Sequence, residues 1–138
     1  MCIRDSSKID VSKLKVVTKK APTTAQLSTL ELAWKTVKHT KSNAIVVAHN
    51  KKIISISGGQ TSRVDAVKYA LTKTRVPPGS VLASDAFFPF RDSVDLMAKY
   101  KIKSIIQPGG SIKDKEIIGA CDKHGISMVF TGTRVFKH

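Results

Sequence analysis

The chain is poor in cysteine, aromatics and acids. Its 138 residues hold two cysteines, Cys2 and Cys121, too few for a disulfide framework or a four-cysteine zinc site. Aromatics make up 6%, so platforms for stacking bases are scarce. The longest apolar runs, such as Ala44–Ala48 and Val81–Ala83, are far too short to span a bilayer. No apolar segment follows the N-terminus in the manner of a secretory signal. There is no Gly-Lys-Ser/Thr phosphate loop, no Gly-x-Ser-x-Gly elbow and no His/Cys/Asp group at zinc-ligand spacing. The expectation is one soluble, cytoplasmic domain without zinc or membrane contact.

What the chain does have is positive charge: 24 Lys+Arg against 10 Asp+Glu, a net +14. Such a balance attracts polyanions. Six cations fall within residues 1–20: Arg4, Lys8, Lys13, Lys15, Lys19 and Lys20. The others are spread singly, as at Lys68, Lys73, Lys99, Lys101, Lys103, Lys113, Lys115 and Lys123. Spread charge without an RGG tract or a basic heptad helix reads as a solvated surface. A small basic nucleic-acid-binding module is the alternative.

Residues 1–21 show no clean period, though Val11, Leu14, Val16 and Val17 allow a short strand. They read as a loose basic segment, and residues 1–6 as non-native sequence outside the fold. Pro22-Thr23-Thr24-Ala25-Gln26 contains a capping box. Leu27, Leu30, Trp34 and Val37 then fall on one helical face, running to about Lys38. Ser42–Ala48 is a buried strand, His49-Asn50-Lys51 a turn, and Lys52–Ser57 a second strand with Ile54 and Ile56 alternating with serines; together they predict a hairpin. Val64, Val67, Ala70 and Leu71 make a helix that ends before Val76-Pro77-Pro78-Gly79. After that break come a strand at Ser80–Ser84, a helix capped by Asp92 with Val94, Met97 and Ala98, and a strand at Ser104–Gln107. A helix from Ser111 or Lys113 with Ile117, Ile118 and Cys121 ends near His124-Gly125, and Ser127–Phe130 is the last strand. This alternation predicts an α/β three-layer sandwich with a mostly parallel sheet and one hairpin.

In such a sheet ligands bind beyond the carboxyl ends of strands, and three strand-to-helix loops are expected to gather there. Gly58-Gly59-Gln60-Thr61-Ser62-Arg63 combines backbone freedom, a helix start and a planar guanidinium. Ser84-Asp85-Ala86-Phe87-Phe88-Pro89-Phe90-Arg91-Asp92 places three of the five phenylalanines within four positions. Core packing accounts for one or two of those rings, and a stacking surface for a planar ligand accounts for all three. Pro108-Gly109-Gly110-Ser111-Ile112-Lys113 reads, taken alone, as a turn plus cap. Cys121 lies on an apolar helix face and reads as inert core.

These segments, with Lys41-Ser42-Asn43-Ala44-Ile45-Val46 and Phe130-Thr131-Gly132-Thr133-Arg134-Val135-Phe136-Lys137-His138, resemble in order and spacing one family. It is the bifunctional purine biosynthesis enzyme that joins phosphoribosylaminoimidazolecarboxamide (AICAR) formyltransferase to IMP cyclohydrolase. The resemblance covers residues 22–138 and implies the C-terminal repeat of the formyltransferase domain, with a cytidine-deaminase-like fold. The family ends at the same histidine, so the missing part is expected at the front. The implied reaction moves a formyl group from 10-formyltetrahydrofolate, the co-substrate, to the 5-amino group of AICAR ribonucleotide.

Residue by residue, the resemblance implies nucleotide contacts from Asn43, Arg63, Phe87 and Arg134. It implies folate contacts from Val64, Asp92, Ser111 and Ile112, and a potassium ion near Thr40, Ser42 and Asp85. It implies a homodimer for the full-length protein and no nucleic-acid partner. The family's catalytic Lys-His motif belongs to an earlier repeat that is missing here. Lys38-His39 is a different dipeptide, and the general-base role is not carried to His39. The cyclohydrolase domain is missing as well. The isolated chain is therefore expected to be inactive in formyl transfer; a degenerate subunit that holds nucleotide without catalysis is a further possibility. Ser55 and Ser57 stand where the family usually has glycine, and Gly58 where it often has alanine.

Overall fold

The chain's first helix starts where its own side chains close a ring. Thr23 Oγ1 accepts from the Gln26 amide at 3.1 Å, and Gln26 Oε1 accepts from the Thr23 amide at 2.9 Å. This capping box satisfies two backbone donors and opens α1, Thr24–Lys38. The computed structural model describes residues 15–41, 43–88, 91–110 and 112–131. Residues 1–14, 42, 89, 90, 111 and 132–138 lie outside the described residues, among them Cys2, Val11, Leu14, Ser42, Phe90, Ser111, Arg134 and His138.

Six strands form one sheet: β1 Lys15–Val16, β2 Ile45–His49, β3 Lys52–Ser57, β4 Val81–Ser84, β5 Ser104–Gln107 and β6 Ser127–Phe130. Their order is β1-β6-β5-β4-β2-β3. Helix α1 covers one face, with Leu30, Ala33, Trp34 and Val37 buried against Val46, Ala48, Val81, Ala83, Ile106 and Val129. The other face carries α2 Arg63–Thr72, α3 Asp92–Lys99 and α4 Asp114–His124. There Ala66, Val67, Val94, Met97, Ile117 and Cys121 pack against Ile45, Val47, Leu82, Ile105 and Met128. Successive strand residues thus serve opposite layers, as the two-residue period requires.

The sheet is mixed rather than mostly parallel. Strand β4 pairs in parallel with β5, and β5 with β6. Strand β2 is antiparallel to both β3 and β4, and β1 is antiparallel to β6. The hairpin turn at Asn50 and Lys51, with φ of 50° and 63°, reverses the chain, and β2 rather than β3 docks on β4. Burial decides this: Ile45–Ala48 is buried throughout and suits a central position, while Lys52 and Ile56 are exposed and suit an edge.

Two local expectations are corrected, and the structure adds the facing of β3. The described part of the N-terminal segment is fastened rather than loose. Val17 N donates to Met128 O at 3.1 Å, Met128 N to Thr18 Oγ1 at 3.0 Å, and Lys19 N to Asp122 Oδ1 at 2.9 Å. A bulge between Val47 and Ala48 shifts the register, so Ser55 and Ser57 turn inward opposite Val47 and Ile45, while Ile56 is left 37% exposed. Asp92 is the first residue of α3 rather than its cap. The N-cap is Arg91, without a side-chain cap bond, and Asp92 Oδ1 accepts from Ser93 N at 2.9 Å.

The β3 edge has its own closure. Lys73, just after α2, donates from Nζ to the outward carbonyl of Ile56, and its ammonium lies 5.2 Å from the Tyr69 ring centroid. At the far side of the helical layer, Asp95 of α3 joins Arg91 at 3.3 Å and His124 of α4 at 3.0 Å. Both partners hold its carboxyl below the usual range, Arg91 more than His124.

Among the described residues, Ser55 Oγ and Ser57 Oγ are buried without a hydrogen-bond partner. Removing an unsatisfied buried hydroxyl relieves a desolvation cost. Ser55→Ala and Ser57→Ala are therefore expected to leave the urea midpoint unchanged or raise stability by up to about 1 kcal/mol. Thr23→Ala is expected to cost about 1 kcal/mol through loss of the cap. A serine variant that destabilises as much as the cap variant would show that its hydroxyl is paired.

Candidate functional site

Strands β3, β4 and β5 point the same way, so the three loops leave the same end of the sheet. Where the start of β2 meets the ends of β3 and β4, one ion pair ties two of these loops together. Arg63 Nη1 lies 2.5 Å from Asp85 Oδ1, with side-chain exposures of 6% and 0%. The same Nη1 donates to Ala44 O at 3.1 Å, and Nη2 donates to Asn43 Oδ1 at 2.7 Å. Asp85 Oδ1 also accepts from Ala44 N at 3.2 Å. Asn43 Nδ2 in turn donates to Gln60 O at 3.1 Å. Segment 43–44, the Gly58–Ser62 loop and the Asp85 loop are thereby fixed to one guanidinium.

Each partner is placed by its own element. Ser62 caps α2 by accepting from Asp65 N at 3.2 Å, which makes Arg63 the first helical residue and turns it inward. Asp85 follows β4 directly, and its amide continues the ladder to Ala44 O at 3.4 Å. Gly59, at φ 71°, takes a conformation that side chains resist, and its amide donates to Lys41 O at 2.8 Å. A Cβ on Gly58 would lie 2.6 Å from Thr40 Cγ2, so any larger residue there requires Thr40 to shift.

The sequence-based candidates divide into groups. Asn43, Arg63 and Asp85 are in direct contact. Phe87 follows two residues after Asp85 and is half-buried, whereas Phe88 is fully buried core, so one of the three rings is packing. Val64 adjoins Arg63 on α2 and is 36% exposed. Asp92 is exposed at the head of α3, and Ile112 in the third loop is 99% exposed. The third loop also holds the turn expected of it: Gly110 N donates to Asp114 Oδ2 at 2.9 Å, and Gly109, at φ 79°, faces the Phe130 ring too closely for any Cβ. Ser42, Ser111 and Arg134 lie outside the described residues.

Of the three residues named for potassium, Thr40 and Asp85 are described and Ser42 is not. Asp85 Oδ1 already faces the Arg63 cation, and Thr40 Oγ1 donates to Thr36 O at 2.9 Å. No group of three or more His, Cys, Asp or Glu is placed to hold a metal among the described residues. His39 is the exposed C-cap of α1, its amide bonded to Thr36 O at 3.1 Å. A cavity of about 230 Å³ lies at the opposite end of the sheet, between Gln26 and Thr29 of α1 and His49 and Lys51 of the hairpin. It is remote from the Arg63–Asp85 pair. Sequence reasoning missed the part played by backbone: the Ala44 and Gln60 carbonyls complete the cluster, and no side-chain pattern announces a carbonyl.

The family model of the AICARFT/IMPCHase bienzyme matches residues 1–73, just over half of the chain. The chain belongs to that family. It is 52% identical over 140 residues to the bifunctional purine biosynthesis protein PurH of Aquifex aeolicus, covering 99% of this chain and 28% of that protein. The PurH of Persephonella marina is 58% identical over 131 residues, with 92% and 25% covered. The PurH of Magnetococcus marinus is 49% identical over 146 residues, with 98% and 27% covered. The chain thus spans about a quarter of the length of these curated relatives. Among solved structures, a diaminohydroxyphosphoribosylaminopyrimidine deaminase/5-amino-6-(5-phosphoribosylamino)uracil reductase from Thermotoga maritima is matched over 78% of this chain and 35% of that one, at 21% identity and a TM-score of 0.44. No helix among the described residues is long and apolar enough to cross a membrane.

Two outcomes follow for this region. Arg63→Ala strands the buried Asp85 carboxylate and is expected to destabilise the fold by about 3–5 kcal/mol, read from urea unfolding; a loss below about 1 kcal/mol would show the pair to be solvated. Burial, with Asp122 adding to it, pushes the Cys121 thiol up to about 12. No thiolate is then available near neutrality. Peptide mapping is expected to find Cys121 unmodified by iodoacetamide at pH 8 in the native chain and modified in urea. Native labelling at a rate near that in urea would contradict its burial.

Proposed function

We propose that this chain is the nucleotide- and folate-binding C-terminal portion of an AICAR formyltransferase acting in purine biosynthesis. Membership of the bienzyme family supports this, and the observation that carries it is the buried Arg63–Asp85 pair with half-buried Asn43, where β3 and β4 end and β2 begins. Formyl transfer between two planar partners needs orientation above all. The cluster supplies a rigid polar corner, Phe87 a half-buried ring two residues after Asp85, and Val64 and Ile112 exposed apolar surface. In this reading Asn43, Arg63, Phe87 and Arg134 hold the nucleotide, with Arg134 as the phosphate cation, and Val64, Asp92, Ser111 and Ile112 hold reduced folate.

Formyl transfer also needs a base for the attacking amine. The chain has no residue that we assign to that role, since His39 sits at a helix end as a cap. The proposal is therefore a half-site, completed by an earlier repeat of a longer polypeptide and by dimerisation. The deaminase-like layering, with α1 on one sheet face and α2–α4 on the other, is part of the same proposal.

Calorimetric titration of the purified chain tests it. AICAR ribonucleotide is expected to bind saturably, with binding lost in Arg134→Ala, and a reduced folate to bind more weakly to Ile112→Ala than to the parent. Because the Ile112 side chain is almost wholly exposed, that variant is expected to keep the parent melting point. A folded chain that binds neither ligand would overturn the half-site, and formyl transfer by the isolated chain would show that a base was overlooked.

A further inference from the structure

We infer that the cavity between the start of α1 and the β2–β3 turn binds phosphate, either free or as the end group of a small phosphomonoester. It lies at the amino ends of β3 and β4, away from the half-site proposed above. Gln26 and Thr29 of α1, His49, Asn50 and Lys51 of the turn, and Gly79 before β4 line its roughly 230 Å³. Two backbone donors at the start of α1 are closed by the Thr23–Gln26 ring, so side chains supply the site. Gln26 Oε1 is spent on Thr23 N at 2.9 Å and Ser104 Oγ at 3.3 Å, which leaves the two Nε2 hydrogens unspent. Thr29 Oγ1 is used up: it donates to Ala25 O at 3.0 Å and accepts from Lys51 N at 3.2 Å. Among the described residues, the His49 imidazole, the Asn50 carboxamide and the Lys51 ammonium have no side-chain partner. No carboxylate is among the lining residues.

The charge at this end of the sheet is largely of one sign. The chain enters β4, β5 and β6 here and turns between β2 and β3. These turns carry Lys19, Lys51, Lys52, Lys101, Lys103 and Lys123, all exposed. Backbone bonds bring two of them to the cavity wall: Gly79 N donates to Lys101 O at 2.9 Å, and Lys103 N to Ser80 O at 2.9 Å. Asp122 and Asp95 reach the same turns, but both are engaged, Asp122 by Lys19 N at 2.9 Å and Asp95 by Arg91 and His124. Asp65, Asp92, Asp114 and Glu116 sit in the first turns of α2, α3 and α4, at the other end of the sheet. A field of one sign over a cleft raises the local concentration of a small anion.

The ligand class follows from donors and space. An ammonium brings three N–H donors and a carboxamide two, and charged acceptors bind such donors most strongly. A phosphate dianion has oxygens enough for Lys51, Gln26 and Asn50 together. The volume of about 230 Å³ is below the roughly 300–1,000 Å³ of pockets for drug-sized ligands, so a phosphate on a short stem fits and a whole nucleotide does not.

Thermal melting of the purified chain tests this, with inorganic phosphate, glycerol phosphate and acetate each compared with sodium chloride at matched ionic strength. Both phosphates are expected to raise the melting point saturably, and acetate to act no differently from chloride. Lys51→Glu is expected to raise the half-saturating phosphate concentration at least about tenfold, while Arg134→Ala and Lys115→Gln keep the parent response. Tighter half-saturation by glycerol phosphate assigns the site to a phosphomonoester, and equal half-saturation assigns it to free phosphate; either supports the inference. It is overturned if phosphate acts no more than chloride, if acetate acts as phosphate does, or if Lys51→Glu responds like the parent. A response lost in Arg134→Ala and kept in Lys51→Glu overturns it too, and places the phosphate in the half-site instead. Should Lys51→Glu fail to fold, Lys51→Gln decides by the same comparison, since this exposed side chain has no bond to lose among the described residues.

Discussion

The Arg63–Asp85 ion pair is the constraint on which this end of the molecule depends. Burying two charges is costly, and only good geometry with further hydrogen bonds recovers the cost. Here the carboxylate and guanidinium also engage the Ala44 amide and carbonyl and the Asn43 carboxamide. The pair thus locks a helix start, a strand end and a strand beginning to one another. Neither loop could move alone without leaving a buried charge exposed to an apolar layer, so the corner is rigid because its alternative conformations are electrostatically expensive.

The mixed sheet makes that junction possible. With β2 inserted antiparallel between β3 and β4, the chain entering β2 arrives at the same end at which β3 and β4 leave. Asn43 and Ala44 therefore meet Arg63 and Asp85 across adjacent strands. In a sheet of parallel strands alone the start of a strand would lie at the far end. The hairpin is in this sense part of the site.

Much of the fold was legible in local chemistry. The Thr23–Gln26 capping box placed the start of α1, Gly125, at φ 70°, placed the end of α4, and β5 and β6 fell at their anticipated residues. The order of strands was not legible, because alternating elements specify direction but not which arm of a hairpin docks inward. The facing of Ser55 and Ile56 was not legible, because a single bulge exchanges the two sides of a strand, and no residue in Ile53–Ser57 advertises it. At the site, Arg63 stood out beside a glycine-rich loop, and Asn43 came only from the family resemblance. The partnership of Asp85 with Arg63 did not stand out, since the two are far apart in the chain and meet only through the sheet.

The closure of β3 by Lys73 bears on how the molecule behaves in a crowded solution. A strand at a sheet edge carrying Ile54 and Ile56 offers backbone groups on which another chain could template itself, the first step toward fibrillar association. The ammonium of Lys73 occupies the Ile56 carbonyl and sets a charge where an incoming strand would lie. One lysine, placed at the C-cap of the helix that covers β3, thus acts as a gatekeeper of colloidal stability, without touching the Arg63–Asp85 corner.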